Sequence, residues 1–216
     1  MNDLLNKYRK LNKDDRMMLF LIFTTIGNVI LAIVKLILSV VLPSLWFFIN
    51  ALFMVILSFS RFWSIRDYGK SRGKDEELKQ EIGFRNYLKN GILLVILGIA
   101  YFFVNVYIYY KGTNTTMHEY LTYLVALDAF WSIGYSIYGM VKYKRNFSPI
   151  LKAVKLTNFA NALTSIMLTQ IVLLDTYASS EVYSSNIMNG ITGIVVSIGI
   201  MIIGLYMIIG IRKVNN

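Results

Sequence analysis

The sequence predicts an all-α integral membrane protein with six transmembrane helices and both termini on the cytoplasmic side. Three observations predict it. Hydrophobic residues make up 56% of the 216 positions and charged ones only 16%, with a mean hydropathy of +0.55, a balance far from that of ordinary soluble domains. Several runs reach the roughly 20 apolar residues that a helix needs to cross the hydrocarbon core of a bilayer. Lys and Arg cluster at alternate ends of those runs, as the positive-inside rule requires of cytoplasmic loops.

The elements follow in order. Residues 1–16 carry Lys7, Arg9, Lys10, Lys13 and Arg16, a basic amphipathic segment expected to lie on the cytoplasmic surface against anionic headgroups. Helix 1 is expected from about Met17 to Val41, and Pro43 with Ser44 marks the turn after it. The run is too long for a signal peptide and lacks a small-residue cleavage pattern. Helix 2 is expected from Leu45 to Ile65, beginning with an interfacial Trp46. The polar segment from Arg61 to Lys89 mixes Asp75, Glu76, Glu77 and Glu81 with many basic residues. It reads as a cytoplasmic loop, about 66–87, whose middle, KDEELKQEIG, has the spacing of a short surface helix.

Helix 3 is expected over about Leu88 to Tyr110, and the connection KGTNTTMHE, poor in basic residues, lies outside. Helix 4 runs from about Tyr120 to Val141 and is followed by Lys142, Lys144 and Arg145, again cytoplasmic. Helix 5 covers Ser148 to Leu174, and its exit, DTYASSEVYSSN, has no basic residue. Helix 6 covers about Gly190 to Ile211, closed by Arg212 and Lys213. The expectation is a single domain over 17–216 in a plasma membrane of bacterial type. The small residues Gly190, Gly193, Ser197 and Gly204 give helix 6 a face for close approach by another helix. Helix 3 is a plausible contact for it, within one chain or between two copies of a homodimer.

The net charge of +10 follows membrane topology, so nucleic acid is not an expected partner. The partners expected are the bilayer itself and, at the basic cytoplasmic loop, an anionic lipid or a protein. Cysteine is absent, which removes disulfides, thiolate metal sites and cysteine nucleophiles. The single histidine, His118, is assigned no role. There is no Gly-x-Ser-x-Gly, no His-Glu-x-x-His and no phosphate-binding loop, YGKSRGK near Gly69 lacking the spacing, so neither an enzyme nor a cofactor is expected.

Polar residues inside the spans are the candidate site. Asn158, Asn161, Ser165 and Thr169 recur every three or four residues, so one face of helix 5 is polar. It serves either as packing between helices or as the lining of a substrate path. Lys35 and Asp128 come out at similar depth, roughly 10 to 12 Å below the outer surface at ~1.5 Å rise per residue, which predicts an ion pair. That pair is either a packing bridge or a coupling site for a proton or cation. Asp128, Ser132 and Ser136 share one helix face.

Helices 2 and 5 also read as two versions of one pattern. SLWFFINALFMVILS from Ser44 parallels SPILKAVKLTNFANALTS from Ser148, and both resemble the repeated segment of the cation diffusion facilitator (cation efflux) family, approximately Ser-x-x-Leu-x-Ala-Asp-Ala-Leu-His-Ser-x-x-Asp-Ala-Leu-Thr-Ser. Asn28, Lys35 and Ser44 in GNVILAIVKLILSVVLPSLWFFINA are similar to the family's opening positions. The resemblance implies a cation-efflux-like six-helix bundle and a homodimer. It also implies a tetrahedral metal site from helices 2 and 5, whose ligand positions fall here on Phe53, Leu57, Thr157 and Asn161, with Asn50 and Val154 at the preceding Asp positions.

Zinc binds thiolate, imidazole or carboxylate, so no metal site is expected from this set. The family's cytoplasmic domain after helix 6 is not expected either. The reading is a transporter with an altered, non-metal substrate, using Asn50, Asn158, Asn161 and Ser165 with the Lys35 and Asp128 pair around an amphipathic cavity. Its alternatives are a non-transporting membrane subunit and a divalent-cation exporter with a relocated site.

Overall fold

The computed structural model describes residues 13–41, 45–112, 119–142, 148–177 and 182–212. They form six α-helices, α1 Lys13–Val41, α2 Leu45–Ser71, α3 Glu76–Lys111, α4 Glu119–Lys142, α5 Pro149–Tyr177 and α6 Val182–Arg212, and no strand occurs among them. Residues 1–12, the Pro43 and Ser44 turn, the TNTTMH connection with His118, Lys144 with Arg145, and Lys213 lie outside the described residues.

Among the described residues, five helical segments are long and apolar enough to cross a membrane: Asp15–Val41, Phe48–Ser71, Glu76–Lys111, Pro149–Leu174 and Asn186–Gly210. The chain is therefore read as an integral membrane protein, its large exposed side chains such as Phe23, Val40, Phe103 and Val195 facing lipid rather than water.

The largest difference from expectation concerns the polar segment between the second and third helices. No loop spans 66–87. Helix α2 continues to Ser71, and α3 begins at Glu76, leaving only a turn at Arg72–Asp75. Gly73 supplies its positive φ of 76°, a conformation that costs glycine little. Asp75 precedes the helix in extended backbone, with Glu76 and Glu77 in the first turn of α3, where acidic side chains complement the helix dipole.

The added turns of α3 are held by burial. Ile82 packs against a cluster of Met17, Met18, Leu21, Ile150, Leu151 and Val154, and the backbone of Gly83 comes so near Pro149 that a Cβ there would lie 3.1 Å from its ring. Helix α6 likewise begins at Val182, eight residues before Gly190.

The longest seam runs between α3 and α6. A Cβ on Gly204 would stand 2.7 Å from the Gly91 carbonyl, and one on Gly91 would stand 2.9 Å from Met207 Cβ. Glycines on both sides thus let the two backbones approach closely, as small residues do in membranes. The small-residue face of the sixth helix is consumed inside the chain. Asn105 Nδ2 donates to Ser197 Oγ across this seam at 3.2 Å.

A main apolar cluster, with Phe53, Leu57, Leu94, Tyr101, Met167, Ile171, Ile200 and Met207, joins α2, α3, α5 and α6. Nearer the Arg72–Asp75 turn, α2 and α3 are laced by polar groups. Ser60 Oγ donates to Asn90 Oδ1, Ser64 Oγ to Asn86 Oδ1 at 3.1 Å, and Asn86 Nδ2 to Asp67 Oδ2 at 2.8 Å. Outside the core, α1 lies along α2 and α4 lies along α5, and no extended seam joins α1 to α4.

Candidate functional site

Between α1 and α4 the missing seam leaves a cleft of about 270 Å³. Its walls differ in character. Phe20, Phe23 and Leu31 of α1 with Trp131 of α4 make the apolar side, while Asn28, Arg61, Asp128, Ser132, Asn158 and Asn161 supply polar groups. Four helices contribute, so the site exists only when α1, α2, α4 and α5 are assembled.

Position along each helix explains the convergence. On α1, Asn28 and Lys35 are seven residues apart, two turns, and therefore share a face. On α2 the buried positions Asn50, Phe53, Leu57, Arg61 and Ser64 follow the same three-and-four rule. Arg61 is 3% exposed, and the Asn28 amide oxygen, turned toward it, accepts from both terminal nitrogens of the guanidinium. An arginine within a membrane-spanning segment is costly unless it has partners or a polar cavity, and here it has both.

Above the cleft, toward the C-terminal end of α1, Lys35 Nζ reaches Asp128 Oδ2 at 3.2 Å and Asn50 Oδ1 at 3.4 Å. The lysine is thereby tied to α4 and α2 together, and Asp128 belongs both to this bridge and to the cleft wall. Below the cleft the cluster of Met17, Met18, Leu21, Ile150, Leu151 and Val154 fills the space between α1 and α5.

The residues singled out in the sequence are distributed as follows. Asp128, Asn158 and Asn161 line the cleft, and Lys35 and Asn50 form its upper boundary. Ser165 is buried one turn farther along α5 and does not line it; its backbone carbonyl accepts from Thr169 Oγ1 at 3.0 Å. Of the four positions to which the family resemblance assigns ligands, only Asn161 reaches the cleft. Phe53 and Leu57 are packed in the main core, and Thr157 Oγ1 donates to the Ala153 carbonyl at 3.0 Å. The apolar wall of the cleft is made by Phe20, Phe23, Leu31 and Trp131 instead.

Arg61, Asn28 and Trp131 are the members that reading the sequence for a site passed over. Arg61 stood at the head of the polar segment and was counted with its cytoplasmic charges. The signal that identifies it is the continuation of the Asn50, Phe53, Leu57 face through position 61 into Ser64, a helix face that does not end where the charges begin.

Chemically, the cleft offers a guanidinium, three amides, the two hydroxyls of Thr24 and Ser132, and one carboxylate already held by an ammonium. Among the described residues no group of three or more His, Cys, Asp or Glu is placed to share a metal ion. The groups of the cleft can bind and orient a polar solute by hydrogen bonds and charge. No protein-family model matches the chain, and no curated protein matches it.

Proposed function

We propose that the chain is a transporter of the plasma membrane that moves a small organic solute through the cleft between α1, α2, α4 and α5. One observation carries the reading: Arg61 and Asp128, two formally charged side chains, line a cleft among Asn28, Asn158 and Asn161, and Arg61, Asn28 and both Asn158 and Asn161 lie inside segments otherwise apolar enough to span a bilayer. Charges in such a place are functional by default, because the bilayer strongly selects against them. A divalent cation suits the cleft poorly, since its only carboxylate faces Lys35 and the nearest other charge is a guanidinium.

The proposal includes six spans, with α4 as the sixth. Its 24 residues extend about 36 Å at ~1.5 Å per residue, long enough to cross, and its Asp128 is matched by Lys35 of α1. An even number of crossings puts both termini on one side, and the basic clusters make that side the cytoplasm. A cation-efflux-like arrangement and a homodimeric assembly belong to the same proposal, resting on the resemblance of helices 1, 2 and 5.

The test is charge movement in proteoliposomes on a solid support, challenged with small organic anions, zwitterions and cations. Currents in the native chain that vanish in Asn161→Leu, with assembly retained, support the reading. Zinc or manganese flux that is lost in Asp128→Asn would overturn it in favour of a metal exporter with a relocated site.

A further inference from the structure

We infer that the cleft takes its ligand sideways from the bilayer, and that this ligand is an anionic amphiphile whose head carries hydroxyl groups. The inference rests on the transporter reading for the role of the cleft, but not for its occupancy. The route follows from what is closed. Toward the N-terminal end of α1, Met17, Met18, Leu21, Ile150, Leu151 and Val154 form a cluster in which each is 8% exposed or less. Toward the other end, Lys35 is bound to Asp128 and Asn50.

Between α1 and α4 there is no extended seam. Phe23 is 72% exposed and Trp131 75%, and Gly27 between the polar groups of α1 has no neighbouring atom where a side chain would begin. In a membrane-spanning segment those surfaces meet acyl chains, so the cleft opens onto lipid. Its apolar rim suits a hydrocarbon tail.

The head is specified by the polar groups. Asp128 is held by Lys35 at 3.2 Å, and the Arg61 guanidinium lines the cleft beside it. A guanidinium favours phosphate or carboxylate oxygens. Asn158 is 6% exposed and lines the cleft, and its Oδ1 is buried with no hydrogen-bond partner. A buried acceptor of that kind calls for a donor, which a hydroxyl on the head supplies.

The experiment uses Trp131 as the reporter. In the full chain carrying Trp46→Phe and Trp63→Phe, quenching of Trp131 is titrated in vesicles with tail-brominated phosphatidylglycerol and, separately, tail-brominated phosphatidylcholine. The expected preference for phosphatidylglycerol is about tenfold, the size of one hydrogen bond to a charged group, kept in Arg61→Lys and in the tip variant Lys74→Gln and lost in Arg61→Gln. Asn158→Asp, which sets a carboxylate beside the head, loses it as well and stands in if Arg61→Gln does not assemble. Equal quenching by both lipids in the native chain overturns the inference, and so does a preference that survives both substitutions. Because the measurement is at equilibrium without a gradient, a lipid preference alongside absent solute currents would sink the transporter reading alone.

Discussion

Lys35 of α1 and Asp128 of α4 meet at 3.2 Å, although 93 positions separate them along the chain and their helices share no extended seam. The bridge is thus a polar tie between the α1–α2 pair and the α4–α5 pair. Its neighbours make it more than a pair. Asn50 accepts from the same ammonium, and Asp128 presents its other side to the cleft.

Removing one partner should therefore leave an uncompensated charge in an apolar setting. Lys35→Met is expected to destabilise the fold by about 3 kcal/mol, at the low end of the range for an orphaned buried charge because Asp128 keeps 15% side-chain exposure. Unfolding in mixed detergent checks this. The double variant Lys35→Met with Asp128→Leu should recover much of the loss, and equal or additive losses would show that the bridge has no coupling energy.

The α3–α6 seam should be intolerant of even one methyl group. Gly204→Ala directs a Cβ to within 2.7 Å of the Gly91 carbonyl, and overpacking of this kind costs about 1 to 3 kcal/mol. Gly134→Ala on α4, where nothing lies within 4 Å, is the matched control and should be neutral or slightly stabilising. Melting temperatures of the two variants in one detergent give the comparison.

Within the site, geometry separates residues that share one sequence stripe. Asn161→Leu and Arg61→Gln are expected to abolish solute-dependent currents, whereas Ser165→Ala should leave them unchanged because Ser165 does not line the cleft. Currents lost in Ser165→Ala but kept in Asn161→Leu would move the path one turn along α5.

At the α2–α3 tip the charges are exposed and far along their helices from the cleft. Replacing Lys70 and Lys74 by Gln should leave both stability and currents within experimental error, since exposed surface substitutions seldom exceed about 0.5 kcal/mol. A loss of cellular function without loss of currents would show that the tip docks a partner. The polar ladder beneath it behaves otherwise. Asn86→Leu removes bonds to Ser64 and Asp67 and should cost about 1 kcal/mol, the scale of hydrogen bonds between membrane helices.

Much of this was legible along the chain. The pairing of Lys35 with Asp128 followed from equal depth, and the inward direction of Asn158 and Asn161 followed from their spacing. Ser165 shares that spacing and still misses the cleft, because a face of a helix is wider than any one cavity against it. The charges from Arg61 to Lys89 read as a loop because composition alone does not say whether a polar stretch has something to pack on. Here it does: Ile82 and Gly83 meet the second apolar cluster and Pro149, and the helices run on.

By itself the sequence determined the solvent of this protein and the helical state of its apolar runs. Backbone polar groups cannot stay unpaired in hydrocarbon, so long apolar runs have to be helices whatever their neighbours. It also determined which side chains are expensive inside such helices, and so where to look for a site. Only the tertiary structure decided which of them meet. It placed Arg61 against Asn28, sent Phe53 and Leu57 into the core, and left α1 and α4 apart, because those outcomes depend on rotation and packing between helices. Helix rotation is set by contacts such as the glycine seam of α3 and α6 and the lysine bridge of α1, which join residues far apart in the chain and leave no period within any one segment.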